Sequence, residues 1–195
     1  MIQSKLDYKK YLEQDKIALR LGSLSLSGKI LNFISPNLIW KFEKLLRKVE
    51  YYENCKNKGI SKIYYYYLKF KFKRLSLKLG FSIPPNVFGP GLAIIHYGTI
   101  VINGNAKVGS NCRMHACVNI GASGGQSEAP QLGDNVYIAP GAKIYGNITI
   151  ANNTAIGANA VVNKSFNEEN TVIAGIPAKV IGEVNIKQII KHIND

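Results

Sequence analysis

Residues 102 to 162 read INGNAKVGSNCRMHACVNIGASGGQSEAPQLGDNVYIAPGAKIYGNITIANNTAIGANAVV, and through them an aliphatic side chain returns every six positions. The register runs Ile102, Val108, Met114, Ile120, then Leu132 two periods later, then Ile138, Ile144, Ile150, Ile156 and Val162. Glycine follows it at Gly109, Gly121, Gly133 and Gly157. A small or β-branched residue sits four places after it at Ala106, Cys112, Val118, Val136, Ala142, Ile148, Thr154 and Ala160. Six is neither the period of a half-buried strand nor that of a helix. It is the period of short flat strands joined by tight turns into triangular coils, where stacking sends every sixth side chain into one interior column. Such turns want residues that tolerate positive φ, and GNAKVGSN, LGDN, YGN and ANN supply them. The sequence therefore predicts a parallel β-helix from about residue 83 to 175. An antiparallel sandwich would alternate with period two between hairpin turns instead. The skipped period between Ile120 and Leu132 predicts that residues 122 to 131, ASGGQSEAPQ, are a loop thrown out of a coil. Loops on a rigid scaffold tend to carry function.

Outward from this array the chemistry changes. The chain has 195 residues, 46% hydrophobic, and a formal net charge of +13. That is enough apolar chain for one domain with an appendage, and too much for a disordered tail. Residues 1 to 80 hold 18 Lys+Arg against 6 Asp+Glu, whereas residues 81 to 180 hold 5 against 4. The organisation expected is a basic, Tyr-rich helical region over 1–80, a β-helix over 81–182 and a polar tail over 183–195 that includes His192. Apolar residues at helical spacing in the first region are Leu38, Ile39, Phe42, Leu45, Leu46 and Val49, then Ile60, Ile63, Tyr67, Phe70 and Leu77. Breaks are expected near Gly22 to Gly28, Ser35-Pro36 and Lys56 to Gly59. The segment KIYYYYLKFKFKRLSLKLG reads either as an amphipathic helix packed on the β-helix end or as a surface for an anionic partner. That partner would be a glycan or the inner membrane face, met through residues 41–80. No recognition motif supports nucleic acid. The start of the chain lacks an apolar signal segment. The apolar stretch from Ile30 to Trp40 is interrupted by polar residues and far short of a membrane span. Three cysteines, Cys55, Cys112 and Cys117, form no CxxC pair, which argues for a reducing, cytoplasmic compartment and against disulfides or structural zinc. Cys112 and Cys117 read as small core fillers, and no cluster of ligating side chains marks a metal.

With the array, the segments GPGLAIIHYGTIVIN (Gly89 to Asn103), NCRMHACVNIG (Asn111 to Gly121) and AGIPAKVIG (Ala174 to Gly182) resemble the serine acetyltransferase-like hexapeptide acyltransferases. The resemblance covers roughly Phe81 to Gly182. It implies a left-handed parallel β-helix, packed as a homotrimer, with acetyl-CoA lying in the groove between neighbours. His96 stands at the place of the family's catalytic His and is the expected general base. The chemistry wants such a group, because a hydroxyl is a poor nucleophile until an imidazole takes its proton. His115, beside Met114, either binds the acceptor or orients His96, or is an exposed coil residue. The resemblance places acetyl-CoA against Ala139, Ala158, Asn163, Lys164 and Lys179, where small residues let backbone approach and Lys meets phosphate.

The acceptor side departs from the family. Where the serine enzymes carry Asp-Ile-His-Pro this chain has Ser82-Ile83-Pro84-Pro85, and where they carry Asp-Arg-His-Pro it has Ser127-Glu128-Ala129-Pro130. Ser82, Glu128 or a backbone carbonyl is left to orient His96. The expectation is an acetyl-CoA-dependent O-acetyltransferase acting on a surface polysaccharide sugar or its precursor. The alternatives are serine O-acetyltransfer in cysteine biosynthesis and a non-catalytic trimeric scaffold.

Overall fold

The computed structural model describes residues 1–22 and 34–194. Three helices open the chain. Helix α1 (Lys5–Ala18) starts on Ser4, whose hydroxyl accepts from the Asp7 amide at 3.0 Å, while the Asp7 carboxylate accepts from the Gln3 amide at 3.0 Å. The first bond satisfies one of the donors a helix start leaves open, and the second ties the residue before the cap to the same turn. Helix α2 (Leu38–Cys55) is capped by Asn37, which accepts from the Trp40 amide. Helix α3 (Ile60–Leu79) ends on Gly80, whose φ of +76° only glycine adopts without strain. The breaks expected at Ser35-Pro36 and at Lys56 to Gly59 are present. The one near Gly22 to Gly28 lies, past Gly22, outside the described residues, as does the first part of the Ile30 to Trp40 stretch.

The remainder is a left-handed parallel β-helix with three sheets. The first sheet stacks β1 (Phe81–Ser82), β3 (Ile100–Ile102), β6 (Asn119–Gly121), β9 (Lys143–Tyr145) and β12 (Val161–Val162). The second stacks β4 (Lys107–Val108), β7 (Gln131–Leu132) and β10 (Thr149–Ile150). The third stacks β2 (Ala93–Ile94), β5 (Arg113–Met114), β8 (Tyr137–Ile138), β11 (Ala155–Ile156) and β13 (Thr171–Gly175), and is closed by antiparallel β14 (Ala178–Glu183). All ten residues of the hexapeptide register are buried, and so are the eight small or β-branched positions four places on. The turns take the form the sequence asks for: Asn111, Asn135, Asn153 and Asn159 all have φ between 55° and 59°. Three of them link side chain to side chain down one corner, Asn111 to Asn135 and Asn135 to Asn153, each at 2.9 Å.

Four expectations need correction. The loop closes earlier than residue 131, since Ala129 is buried and Gln131 already lies in β7. Cys117 is exposed at φ +63°, one place before the buried Val118, so it sits in a turn and fills no core. The tail is not simply polar: Ile186 and Ile190 are buried against Ala155, with Tyr137 and Val172 beside them, and His192 Nε2 lies 3.3 Å from Asn111 Oδ1. Two short 3-10 turns, Ile186–Gln188 and Lys191–Asn194, carry that contact. Last, Ile60, Ile63, Tyr67, Phe70 and Leu77 face outward on α3, with Ile63 72% and Leu77 70% exposed. Helix α3 carries a second stripe of the same spacing, Tyr65, Leu68, Phe72, Leu75 and Leu79, and that one packs inward. Periodicity alone does not say which of two parallel stripes the core takes.

A β-helix has an open end, where backbone groups of the first coil lack a strand to pair with. Side chains of α1 and α2 occupy it. Asp15 Oδ1 accepts from the Gly91 and Leu92 amides at 2.9 Å each, Glu50 from the Asn86 amide at 2.8 Å, and Glu43 Oε1 from the Ile94 amide at 3.0 Å. Arg47 donates to the Phe88 and Gly89 carbonyls at 2.9 and 2.6 Å and is itself paired with Asp15 and Glu50. All four side chains are buried. Burial works against the Arg47 charge, but Glu50 and Asp15 beside it hold its pKa above the ordinary arginine value. Burial, then the negative charge of Asp15, push the Glu43 carboxyl well above its usual range, and Glu43 Oε2 has no hydrogen-bond partner.

Because its folded pKa is raised, Glu43 binds protons in the folded state that the unfolded chain has already released. Its contribution is complete below the ordinary carboxylate range and is lost as pH rises through the raised value. Glu43→Gln keeps an oxygen for the Ile94 amide, so the variant should lose less thermal stability than wild type as pH rises above the ordinary carboxylate range. An equal or larger loss contradicts this account. Arg47→Met strands two buried carboxylates and should cost roughly 3–5 kcal/mol in denaturant unfolding.

Candidate active site

After Ile94 the chain leaves the third sheet and reaches the first at Ile100, and the connecting corner carries His96. Both ends of that corner are fixed by backbone bonds. The Ile95 amide donates to the Met114 carbonyl at 3.0 Å, and the Gly98 and Ile100 amides donate to the Leu79 and Gly80 carbonyls at 3.0 Å each. The last turn of α3 therefore holds the far side of the segment that presents His96. Ile94, Met114 and Ile138 are in register on three successive coils. His96, His115 and Ala139, which follow them, thus come out at one corner of the β-helix.

His96 is exposed and His115 half-buried, and their ring centroids are 5.7 Å apart. The edge of Tyr137 completes the row, 5.4 Å from the His115 ring. Burial, then the positive charges of Arg113 and His96, hold the His115 imidazole below its ordinary pKa. His115 therefore stays neutral where a free imidazole begins to take a proton, and a proton arriving on His96 meets a neutral ring rather than a second cation. Arg113 lies in β5 opposite Ala93 and Tyr137, its side chain half-buried. Burial, then the charge of Arg20 just beyond α1, lower its pKa.

The other expected residues are dispersed. Ser82 is exposed in β1 and Glu128 is exposed in the loop before β7, and among the described residues neither bonds to His96. His115, not Ser82 or Glu128, is the side chain the fold sets beside His96. Ala139 is buried just after β8 and Ala158 exposed just after β11, both at the His115 corner, where small side chains leave backbone approachable. Asn163 and Lys164 follow β12, at the next corner round, with Lys164 Nζ 5.4 Å from the Phe166 ring centroid. Lys179 is exposed opposite Ala174 in the closing hairpin. Within one chain these do not converge into a single cleft. Burial pushes the Cys112 thiol up to about 12, which leaves no thiolate for covalent work. Among the described residues no group of three or more His, Cys, Asp or Glu could hold a metal.

Sequence reasoning missed Arg113 and Tyr137. The signal was there: Arg113 and His115 flank the inward Met114, so alternation turns both outward, and Tyr137 is one coil on from Arg113.

Comparison with known proteins agrees with this architecture. The family model described as bacterial transferase hexapeptide (six repeats) matches residues 129–164. A serine acetyltransferase of Staphylococcus xylosus is 40% identical over 105 residues, which cover 52% of this chain and 48% of that protein. One from Mycobacterium tuberculosis is 39% identical over 102 residues, covering 51% and 44%. The chain thus spans about half the length of the curated relatives it matches. Among solved structures, the serine acetyltransferase of Brucella abortus in complex with coenzyme A superposes with a TM-score of 0.72 at 27% identity, over 93% of this chain and 70% of that one. That of Neisseria gonorrhoeae gives 0.71 at 26%, over 92% and 68%. The resemblance to the serine acetyltransferase-like hexapeptide-repeat family therefore stands.

Proposed function

We propose that this chain is an acetyl-CoA-dependent O-acetyltransferase with His96 as general base and L-serine as acceptor. The observation that carries it is the pair of imidazoles His96 and His115 at one corner of the coil, centroids 5.7 Å apart, in a chain similar to named serine acetyltransferases. The saccharide acceptor expected from the sequence rests on the two altered motifs and the basic front half. The named relatives weigh for L-serine over it, and the paired imidazoles weigh against an inert scaffold.

Acetyl-CoA supplies the acetyl thioester. Ala139 and Ala158 would leave backbone open to its pantetheine arm, and Lys179, with Lys164, would meet phosphate. His96 takes the proton of the acceptor hydroxyl as its oxygen attacks and holds it for the departing sulfur. His115, kept neutral, is free to hydrogen-bond the acceptor or His96. Free-thiol release from acetyl-CoA, with and without L-serine, tests the reading. His96→Ala should lower serine-dependent turnover by roughly a hundred- to ten-thousand-fold while acetyl-CoA still binds. Unchanged turnover removes His96 from the mechanism, and release without serine dependence returns the saccharide reading.

The separation of Ala139 and Ala158 from Asn163 and Lys164 onto different corners fits a site shared between neighbours in a homotrimer. Light scattering should then give three times the 21.5 kDa chain mass, and a monomer speaks against a shared site.

The outer stripe of α3 supports a contact with an anionic lipid surface. Ile63, Tyr67, Phe70 and Leu77 are exposed along it, flanked by exposed Lys62, Lys69, Lys71, Lys73 and Lys78. Those flanks oppose pairing with a second copy, because like charges would meet, whereas apolar and aromatic residues between lysines suit a headgroup region. Among the described residues no helix is long and apolar enough to cross a membrane. Sedimentation with phosphatidylserine vesicles should be salt-sensitive, absent with neutral vesicles and lost in Phe70→Ser/Leu77→Ser. Equal sedimentation of wild type and variant removes the contact.

A further inference from the structure

We propose that the groove between α2 and α3 is a binding site for one anionic phospholipid whose headgroup has a phosphate and no amino group, the phosphate resting on Lys41, Arg74 and Lys78. This rests on the reading of the outer stripe of α3 as a lipid contact, and adds to it a discrete, saturable site with a headgroup preference.

Helices α2 and α3 form an antiparallel hairpin, since Phe42 stacks on Phe72 at 5.2 Å and Tyr52 meets Tyr64 at 5.0 Å between ring centroids. Their inward stripes are taken up by the core. Beside those stripes the hairpin leaves a cavity of about 510 Å³, the size of a small-molecule site. Its apolar lining is Leu38 and Leu45 from α2 and Tyr67, Phe70 and Leu75 from α3. The rest of the lining is Lys41, Lys71, Arg74 and Lys78, so four cations and no acid border it. Helix α3 as a whole carries six Lys and Arg and no Asp or Glu. Among the described residues none of the four groove cations forms an ion pair. Two of them stand over aromatic rings of the same wall, Lys71 Nζ 5.3 Å from the Tyr67 centroid and Arg74 Cζ 5.7 Å from that of Phe70.

The two chemistries are sorted along the hairpin. The pairing of Phe42 with Phe72 sets Lys41 level with Arg74 and puts Lys78 beyond them, whereas Leu45, Phe70 and Tyr67 lie towards the other end. Helix α2 begins at the cationic end with no acidic residue in its first turn, so the positive end of its dipole adds to the same field. A free anion would use the cations and leave the apolar lining wet, and a bare hydrocarbon would do the reverse. A phospholipid answers both. The cations also select among headgroups: an ammonium would be brought among like charges, while a glycerol headgroup would not. Tyr67 and Phe70 belong to the groove and to the exposed stripe alike, so acyl chains leaving the groove past them run into the lipid that the stripe faces. A second copy of the chain would meet the same positive field and be repelled.

Dihexanoyl phosphatidylglycerol, added as monomer to the full chain, tests the site by isothermal titration and by the fluorescence of Trp40, the chain's one tryptophan and the neighbour of Lys41. It should bind saturably, one molecule per chain, and several-fold tighter than dihexanoyl phosphatidylserine, which has the same net charge but carries an ammonium. Glycerol 3-phosphate, a phosphate without acyl chains, should not saturate. Lys41→Gln/Arg74→Gln should weaken phosphatidylglycerol binding by roughly tenfold or more and abolish the preference over phosphatidylserine, with the melting temperature unchanged. Ile63→Ser/Leu77→Ser lies outside the groove and should lose vesicle sedimentation while keeping short-chain binding, so the stripe and the groove fail separately. Loss of short-chain binding in that variant makes the stripe the binding surface and overturns the groove. So does equal binding of the two lipids, glycerol 3-phosphate binding as tightly as lipid, or affinity unmoved in Lys41→Gln/Arg74→Gln. Displacement of the lipid by poly-L-glutamate at lower concentration gives the groove to an acidic protein segment and overturns the lipid assignment.

Discussion

The first coil of the β-helix depends on four ionisable side chains that stand where a strand would otherwise be. Asp15, Glu43, Arg47 and Glu50 satisfy amides and carbonyls between Asn86 and Ile94, which have no preceding coil to pair with. Elsewhere in the coil the stacking is repetitive and each turn supports the next, so the open end is where order has to be imposed from outside. Ion pairs buried this deeply seldom add much stability over well-packed apolar residues. Their use here is directional, because each oxygen or nitrogen fixes one backbone group. The helices are thereby locked in place on the coil, and the strand that leads into His96 is held from beneath by Glu43.

Seen from His96, the scaffold has two supports. One is the register of the third sheet, which sets His115 next to it. The other is the last turn of α3, which takes two amides of the corner segment. The chemistry at this corner depends on differences between similar groups. His115 is kept neutral by desolvation and a neighbouring guanidinium. Arg113 keeps its charge despite burial because an arginine cannot lose it.

Much of this was legible in the sequence and some was not, for physical reasons that differ by element. Ile102 through Val162 could be read because a six-residue period has few explanations, and burial of every residue in the column follows from the period itself. The asparagines at positive φ followed from the same turns. Helix α3 could not be oriented, because Ile63-Tyr67-Phe70 and Leu68-Phe72-Leu75 have equal spacing and the choice between them is made by α2 and by Phe81, far off in sequence. Arg47 and Glu43 were unremarkable charges in a basic region until the fold buried them. At the site, resemblance pointed to His96, whereas the expected helpers Ser82 and Glu128 stand on other edges of the coil. Arg113 was overlooked because arginine on a strand surface ordinarily means solvent.

The detour between Ile120 and Leu132 has a further meaning. The pairs β3–β6, β7–β10, β8–β11 and β9–β12 are offset by 18 residues, such as Lys143 with Val161, but Asn119 with Lys143 and Lys107 with Gln131 are offset by 24. The excursion therefore adds one whole repeat unit and returns the chain in phase. Lengthening such an excursion costs little, since closure entropy grows only with the logarithm of length, but a strand that re-enters one residue out of step turns Leu132 outward and a polar neighbour inward. The coil acts as a ratchet: it leaves the content and length of the excursion nearly free while allowing re-entry only at fixed teeth. Variation can accumulate in residues 122 to 128 without disturbing the columns on either side.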